Sequence, residues 1–172
     1  MKERLLSVAQ PDKVLLYKRS RFTTRLPTDR LYAPSHFWIA KIEPDVYRVG
    51  FTKFATRMLG DIVEHGFETK TGDPITVGQT IGWIEGFKAV TDLYAVANGQ
   101  FLGQNPALKQ DITQIDADPY GAGWLYSFRG TPEPNSVDVQ GYTEILDATI
   151  DKMQEKPGAS DAHEEKDPEC PT

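Results

Sequence analysis

Residues 81–99 read IGWIEGFKAVTDLYAVANG. On both sides of Lys88 the residues alternate roughly between apolar and polar, the period of a half-buried strand. Gly86 before the lysine and Asn98-Gly99 after it are turn residues, which predicts a strand to Gly86, a return strand and a further turn at Asn98-Gly99. Lys88 then stands at the tip of a ribbon, exposed to anything outside the protein. The plain reading is a solvated hairpin lysine, as most lysines are. A Schiff-base lysine needs burial or a neighbouring cation. The carboxylates nearest in sequence, Glu85 and Asp92, instead stabilise a charged ammonium. Lys88 therefore reads as a poor catalytic amine and a better substrate for a modifying enzyme.

Outward from the ribbon the chain is rich in short strands. RLYAPSHFWIAKIEPDVYRVGF predicts two strands turning near Glu43–Asp45, and TKFATRMLG a short helix capped by Thr52 and closed by Gly60. DIVEHGF is a short strand, and turns are expected at Thr71–Pro74 and Gly78. QNPALKQDITQIDADPYGAGW reads as a punctuated loop, and GWLYSFRG as a closing strand. Its acidic pair Asp116 and Asp118 reads as turn formers rather than an acid/base pair. The clearest helix is SVDVQGYTEILDATIDKMQ, with Ser136 or Asp138 as cap and one face of Tyr142, Ile145, Leu146, Thr149, Ile150 and Met153. The expected fold is mainly β, a small sandwich or barrel with a short internal helix and a C-terminal helix.

Composition narrows the function. No apolar run reaches the ~20 residues of a membrane span. The start MKERLLSVAQPDK lacks a secretory apolar region, whereas the basic character of residues 1–30 leaves a mitochondrial transit peptide open. The expected location is cytoplasmic, or mitochondrial in a eukaryote. Net charge is +5 over residues 1–30, −7 over 31–154 and −4 over 155–172. An acidic body argues against nucleic acid as a partner. A single cysteine, Cys170, and three histidines without ligand spacing give no metal site. The sequence contains no glycine-rich phosphate loop, HExxH or GxSxG. The chain divides into a basic arm (1–30), a domain (31–153) and an acidic tail (154–172) expected to be disordered.

The residues around Lys88 resemble the glycine cleavage system H-protein family. The pattern at that family's lipoylated lysine, Glu-Ser-Val-Lys-Ala followed by Asp and Gly, is met by Glu85, Lys88, Ala89, Asp92 and Gly99. YAPSHFW (32–38), VGFTKFATRMLGDIV (49–63) and NPALKQDITQIDADPYGAGW (105–124) follow in the family's order. The resemblance implies a barrel-sandwich hybrid with lipoic acid amide-linked to Lys88. It also implies recognition by a lipoate ligase or lipoyl transferase through Glu85 and Gly99, and a non-catalytic carrier role. The implied partners are glycine decarboxylase, aminomethyltransferase and dihydrolipoamide dehydrogenase. Biotinyl domains usually flank their lysine with Met, so Phe87 and Ala89 argue against biotin. Such an arm confines its cargo near docked partners, and its dithiol supplies the redox chemistry.

The departures are specific. Where the family reads Ser-His-Glu-Trp, this chain reads Ser35-His36-Phe37-Trp38. The family's Glu helps to hold an aminomethyl cargo, and a phenyl ring cannot form that charge-assisted bond. Ser35, His36, Phe37 and Asp92 are the expected contacts to arm or cargo. Gly86-Phe87, Ile112 and Asp116 also depart from the usual residues. Two alternatives follow: a lipoate-binding carrier of sulfur intermediates for a heterodisulfide-reductase-like complex, and an unmodified binding module with Phe37 in a docking patch. On the glycine reading, Phe37→Glu is expected to improve retention of the aminomethyl group.

Overall fold

The computed structural model describes residues 13–169, with the backbone alone for residues 156–169. Strands β1 (Val14–Arg19) and β2 (Phe22–Pro27) pair antiparallel around a turn at Ser20-Arg21, so half of the segment read as a basic arm is a β-ribbon. β3 (Leu31–Tyr32), β4 (Phe37–Glu43) and β5 (Val46–Phe51) follow, the last two turning at Pro44-Asp45 where Asp45 has φ 67°. Helix α1 (Lys53–Leu59) begins at Thr52, whose hydroxyl accepts a hydrogen bond from the Ala55 N–H, and ends at Gly60 with φ 81°. Next come β6 (Ile62–Phe67), β7 (Pro74–Ile75), β8 (Thr80–Gly86), β9 (Val90–Tyr94) and β10 (Ala97–Gln104).

The segment read as a plain loop contains a 3-10 turn (Pro106–Lys109) and a single α-helical turn, α2 (Gln114–Ala117). The side chain of Asn105 caps the 3-10 turn by accepting from the Ala107 N–H. β11 (Tyr126–Pro132) closes the sheet, and α3 (Val139–Glu169) closes the described chain. Asp138 caps α3, its carboxylate accepting from the Gly141 N–H at 2.9 Å. The α3 backbone continues into the segment expected to be disordered; residues 170–172 lie outside the described residues, as do residues 1–12 of the basic arm.

The order β3-β4-β5-β11-β10-β7 makes a six-stranded sheet, and β6-β8-β9 a three-stranded one. The molecule is thus mainly β, a barrel-sandwich with helices at its flank. Ile81, Ile84 and Leu93 of the smaller sheet share one core with Val49, Phe101, Tyr126 and Phe128 of the larger. β4 is buried on both faces: Phe37 and Ile39 enter this core, while Trp38 and Ala40 enter a second one. That second core is built by the ribbon (Tyr17, Phe22, Leu26) and α3 (Tyr142, Leu146, Ile150). Tyr17 donates to Asp147 at 2.7 Å, Arg19 pairs with Asp151 at 2.9 Å, and Tyr32 stacks on Tyr142 at 4.7 Å. The ribbon and the helix therefore cover the outer face of β4 together.

The turn expected at Asn98-Gly99 lies inside β10 instead. Gly99 pairs with Gly130, and a Cβ on it would stand 2.0 Å from the Arg129 carbonyl oxygen. The glycine serves a close approach of two strands. The chain crosses from the three-stranded to the six-stranded sheet just before it, through the buried Ala95 and Val96.

Candidate functional site

Phe87 and Lys88 form the tip between β8 and β9, closed by a hydrogen bond from the Gly86 N–H to the Ala89 carbonyl at 2.8 Å. The tip rests on the end of α1. The Lys88 N–H donates to the Leu59 carbonyl at 2.8 Å, and the Phe87 N–H to the Asp61 carbonyl at 2.7 Å. The first bond uses a carbonyl that the helix end leaves without an intrahelical partner, and the second a carbonyl just beyond that end. Two glycines permit the approach. A Cβ on Gly86 would meet the Leu59 carbonyl oxygen at 2.3 Å, and one on Gly60 would meet Lys88 Cγ at 2.9 Å. The glycine that departs from the usual Ser before the lysine thus has a place here against Leu59.

The Lys88 side chain itself is exposed, and among the described residues its ammonium donates only to the Arg57 carbonyl, at 3.3 Å. No carboxylate anchors it among the described residues. Phe87 beside it is 83% exposed. A backbone pinned at three points with a free amine at its apex is a fixed base for a flexible attachment. The residues present fit an amide-linked arm: the amine is reachable, and apolar grooves flank it.

One groove, of about 310 Å³, is lined by Ser35, His36, Phe54, Met58, Ala89 and Asp92 among others. It brings together the four expected contact residues, Ser35 and His36 from the β3–β4 loop, Phe37 from the start of β4 and Asp92 from β9. Asp92 is exposed and pairs across the ribbon with Trp83. His36 has φ 74° and sits over Phe54 at 4.7 Å. Its Nδ1 shares a hydrogen bond with the Tyr142 hydroxyl at 2.8 Å, and that hydroxyl bonds in turn to the Thr52 hydroxyl at 2.8 Å. Burial lowers the His36 pKa to about 4, so the ring is neutral near pH 7. Asp92 is then the one charged side chain lining this groove among the described residues.

Phe37 corrects the docking-patch expectation. Its ring is 2% exposed and stacks on Phe51 at 5.0 Å, on the groove's floor and within the core. Glu85 is half-buried on β8, opposite Val90 and Glu64. Gly99 is not at the tip; it belongs to the six-stranded sheet, beside Gly130 and Ile75. Asp116 pairs with Lys53 at 3.6 Å, while the Asp118 carboxylate accepts from the Ala122 N–H at 2.9 Å, so both stabilise local structure. Sequence reasoning missed Arg57, Leu59 and Asp61, which act through backbone carbonyls and leave no side-chain signature. It read Thr52 as a cap and Tyr142 as part of a helix face, but not their link to His36, which arises only through tertiary packing.

A sequence profile of the family described as Glycine cleavage H-protein matches residues 30–149. The chain belongs to that family. The glycine cleavage system H protein of Corynebacterium jeikeium (strain K411) is 37% identical over 122 residues, covering 69% of this chain and 95% of the relative. That of Shewanella sp. (strain ANA-3) is 36% identical over 129 residues, covering 72% and 98%. The crystal structure of a glycine cleavage system H protein from Mycobacterium marinum superposes with a TM-score of 0.63 at 36% identity, over 69% of this chain and 97% of that one. H proteins are lipoyl carriers, and Lys88, Glu85, Asp92 and Gly99 all fall within the matched residues. None of these relatives supports the sulfur-carrier alternative. Residues 14–29, the ribbon and its exit, precede the match, and Ile150 onward follows it. Among the described residues no group of three or more His, Cys, Asp or Glu can hold a metal ion, and no helix is long and apolar enough to cross a membrane.

Proposed function

We propose that Lys88 carries lipoic acid in amide linkage and that the chain is the non-catalytic carrier of glycine cleavage. On this reading it carries an aminomethyl group from glycine decarboxylase to aminomethyltransferase, and dihydrolipoamide dehydrogenase reoxidises the dithiol left behind. The observation that carries the proposal is the exposed Lys88 amine on a tip pinned to the end of α1, in a chain of this family. When bound, lipoate supplies a dithiol/disulfide couple. The chain supplies position. The Leu59 and Asp61 carbonyls fix the backbone of the tip, so the arm swings from a constant origin. The groove of Ser35, His36 and Asp92 provides an apolar wall with one carboxylate, which suits an amine at the arm's end. A neutral His36 places no opposing charge there. Glu85, on the strand entering the tip, is the side chain a ligase or lipoyl transferase would read.

The test is intact mass after incubation with lipoate, ATP and a lipoate ligase, followed by peptide mapping. A single lipoyl adduct on Lys88, absent from Lys88→Ala, is the expected result. A chain that stays unmodified where a control H protein is lipoylated would leave the binding-module reading in its place.

A further inference from the structure

A second groove flanks Lys88 and shares Phe54 and Met58 of α1 with the first. It is a cleft of about 430 Å³ between the β1–β2 ribbon, α1 and α3, and the Lys88 side chain lines it directly. The lysine does not line the Ser35–Asp92 groove, where its neighbour Ala89 stands instead. The floor of the cleft is apolar: Phe22 and Phe54 are buried beneath it, and Met58 and Met153 remain 44% and 38% exposed. Its rim is cationic, with no carboxylate lining it among the described residues.

The three arginines of the rim differ in what they are free to do. Arg19 is committed to Asp147 at 3.4 Å and Asp151 at 2.9 Å. Arg57 is exposed, with its guanidinium 5.5 Å from the centre of the Phe22 ring. Arg21, exposed at the ribbon's turn, has no hydrogen-bond or ion-pair partner among the described residues. Amidation of Lys88 removes its charge and leaves Arg21 and Arg57 over an apolar floor. The other groove carries Asp92 alone. The two grooves thus have opposite charge. The walls of the cleft at Arg19–Phe22 and at Ile150–Gln154 lie outside residues 30–149, so the shared family domain does not build it.

We propose that this cleft is a second seat for the Lys88 arm, one that holds the arm when its sulfur carries an anionic group. The proposal rests on lipoylation of Lys88. The apolar stem of the arm covers Met58 and Met153, and a terminal anion meets Arg21 and Arg57. An arm ending in an amine is directed instead to Asp92.

The methionines make the test direct, because the sequence has three: Met1, Met58 and Met153. Met153 lines only the cleft, whereas Met58 lines both grooves. The full chain, with Cys170→Ser so that only the arm carries thiols, is labelled with methyl-13C methionine and lipoylated, and the adduct is confirmed by mass. The arm is reduced and capped with iodoacetate or with iodoacetamide. In each case a thiolate sulfur displaces iodide and forms a carbon–sulfur bond, giving an anionic or a neutral cap of nearly equal size. The carboxymethyl form is expected to move the Met153 methyl resonance by more than a linewidth from its position in the unlipoylated chain. The carbamidomethyl form is expected to move it less, and Arg21→Ala with Arg57→Ala to reduce the carboxymethyl shift. A confirmed adduct with Met153 unmoved, with Met58 moving alone, or with equal shifts from both caps, overturns the second seat. Absence of any adduct by mass overturns the lipoyl reading itself, and the seat with it.

Discussion

At the residue scale, the decisive position is Phe37, where the family usually places a glutamate. The sequence alone suggests that Phe37→Glu returns a lost amine contact. The structure alters the expectation, because the ring is stacked on Phe51 inside the main core. A carboxylate there loses the packing of a buried phenyl ring and is itself stripped of water. Together these are expected to cost at least about 3 kcal/mol. Urea unfolding of the apo chain should show a markedly lower midpoint for Phe37→Glu. A variant of wild-type stability that retains an aminomethyl group longer would mean that the position turns outward and that the departure concerns cargo. The same inward packing explains why Ser35 and Asp92, both exposed, remain the polar contacts of that groove.

At the scale of elements, the β1–β2 ribbon and α3 act as one unit laid over Trp38 and Ala40. Apolar burial dominates its attachment, since the Arg19–Asp151 pair lies in solvent, where ion pairs contribute little. Leu146→Ala, which empties a fully buried site of this layer, should destabilise the protein by about 2–5 kcal/mol. Asp151→Asn should leave the urea midpoint nearly unchanged; the reverse ranking would show that charge attaches the unit. Much of the domain was legible in the sequence because its signals are local. The caps Thr52 and Gly60, the turn at Glu43–Asp45, the tip at Lys88 and the apolar face of α3 all rest on neighbours within a few residues. What was not legible depends on distant partners. The alternation in VLLYKR and FTTRLP was obscured by its arginines and lysines, and the ribbon's meaning comes only from residues 139–154. Gly99 could not be read because a glycine in a turn and a glycine in a close strand pair look the same locally. The cleft beside Lys88 was invisible for a third reason: its walls come from both ends of the described chain.

At the scale of the whole molecule, the hydrogen-bonded line His36–Tyr142–Thr52 joins the groove, α3 and the start of α1. It makes global stability sensitive to acid. His36 faces the Tyr142 hydroxyl from α3, Phe54 and Thr52 from α1, and the groove that Asp92 lines from β9. Burial is the cause of its lowered pKa, about 4 against 6.5 for a free imidazole. As pH falls, the unfolded chain therefore takes up the proton first. The contribution of His36 is complete above about pH 6.5, declines between there and about pH 4, and amounts at most to about 3 kcal/mol. His65 is shifted in the same direction by its own burial, so a single stability curve mixes the two. The difference between the wild type and His36→Gln removes that background. Urea unfolding of both proteins from pH 7 to pH 4 should show the wild type losing stability faster, with the gap between the two changing by about 3 kcal/mol across the interval. A gap that stays constant with pH would mean that the imidazole is protonated in the folded state as readily as in the unfolded one, and that the line from α3 to the groove tolerates the charge.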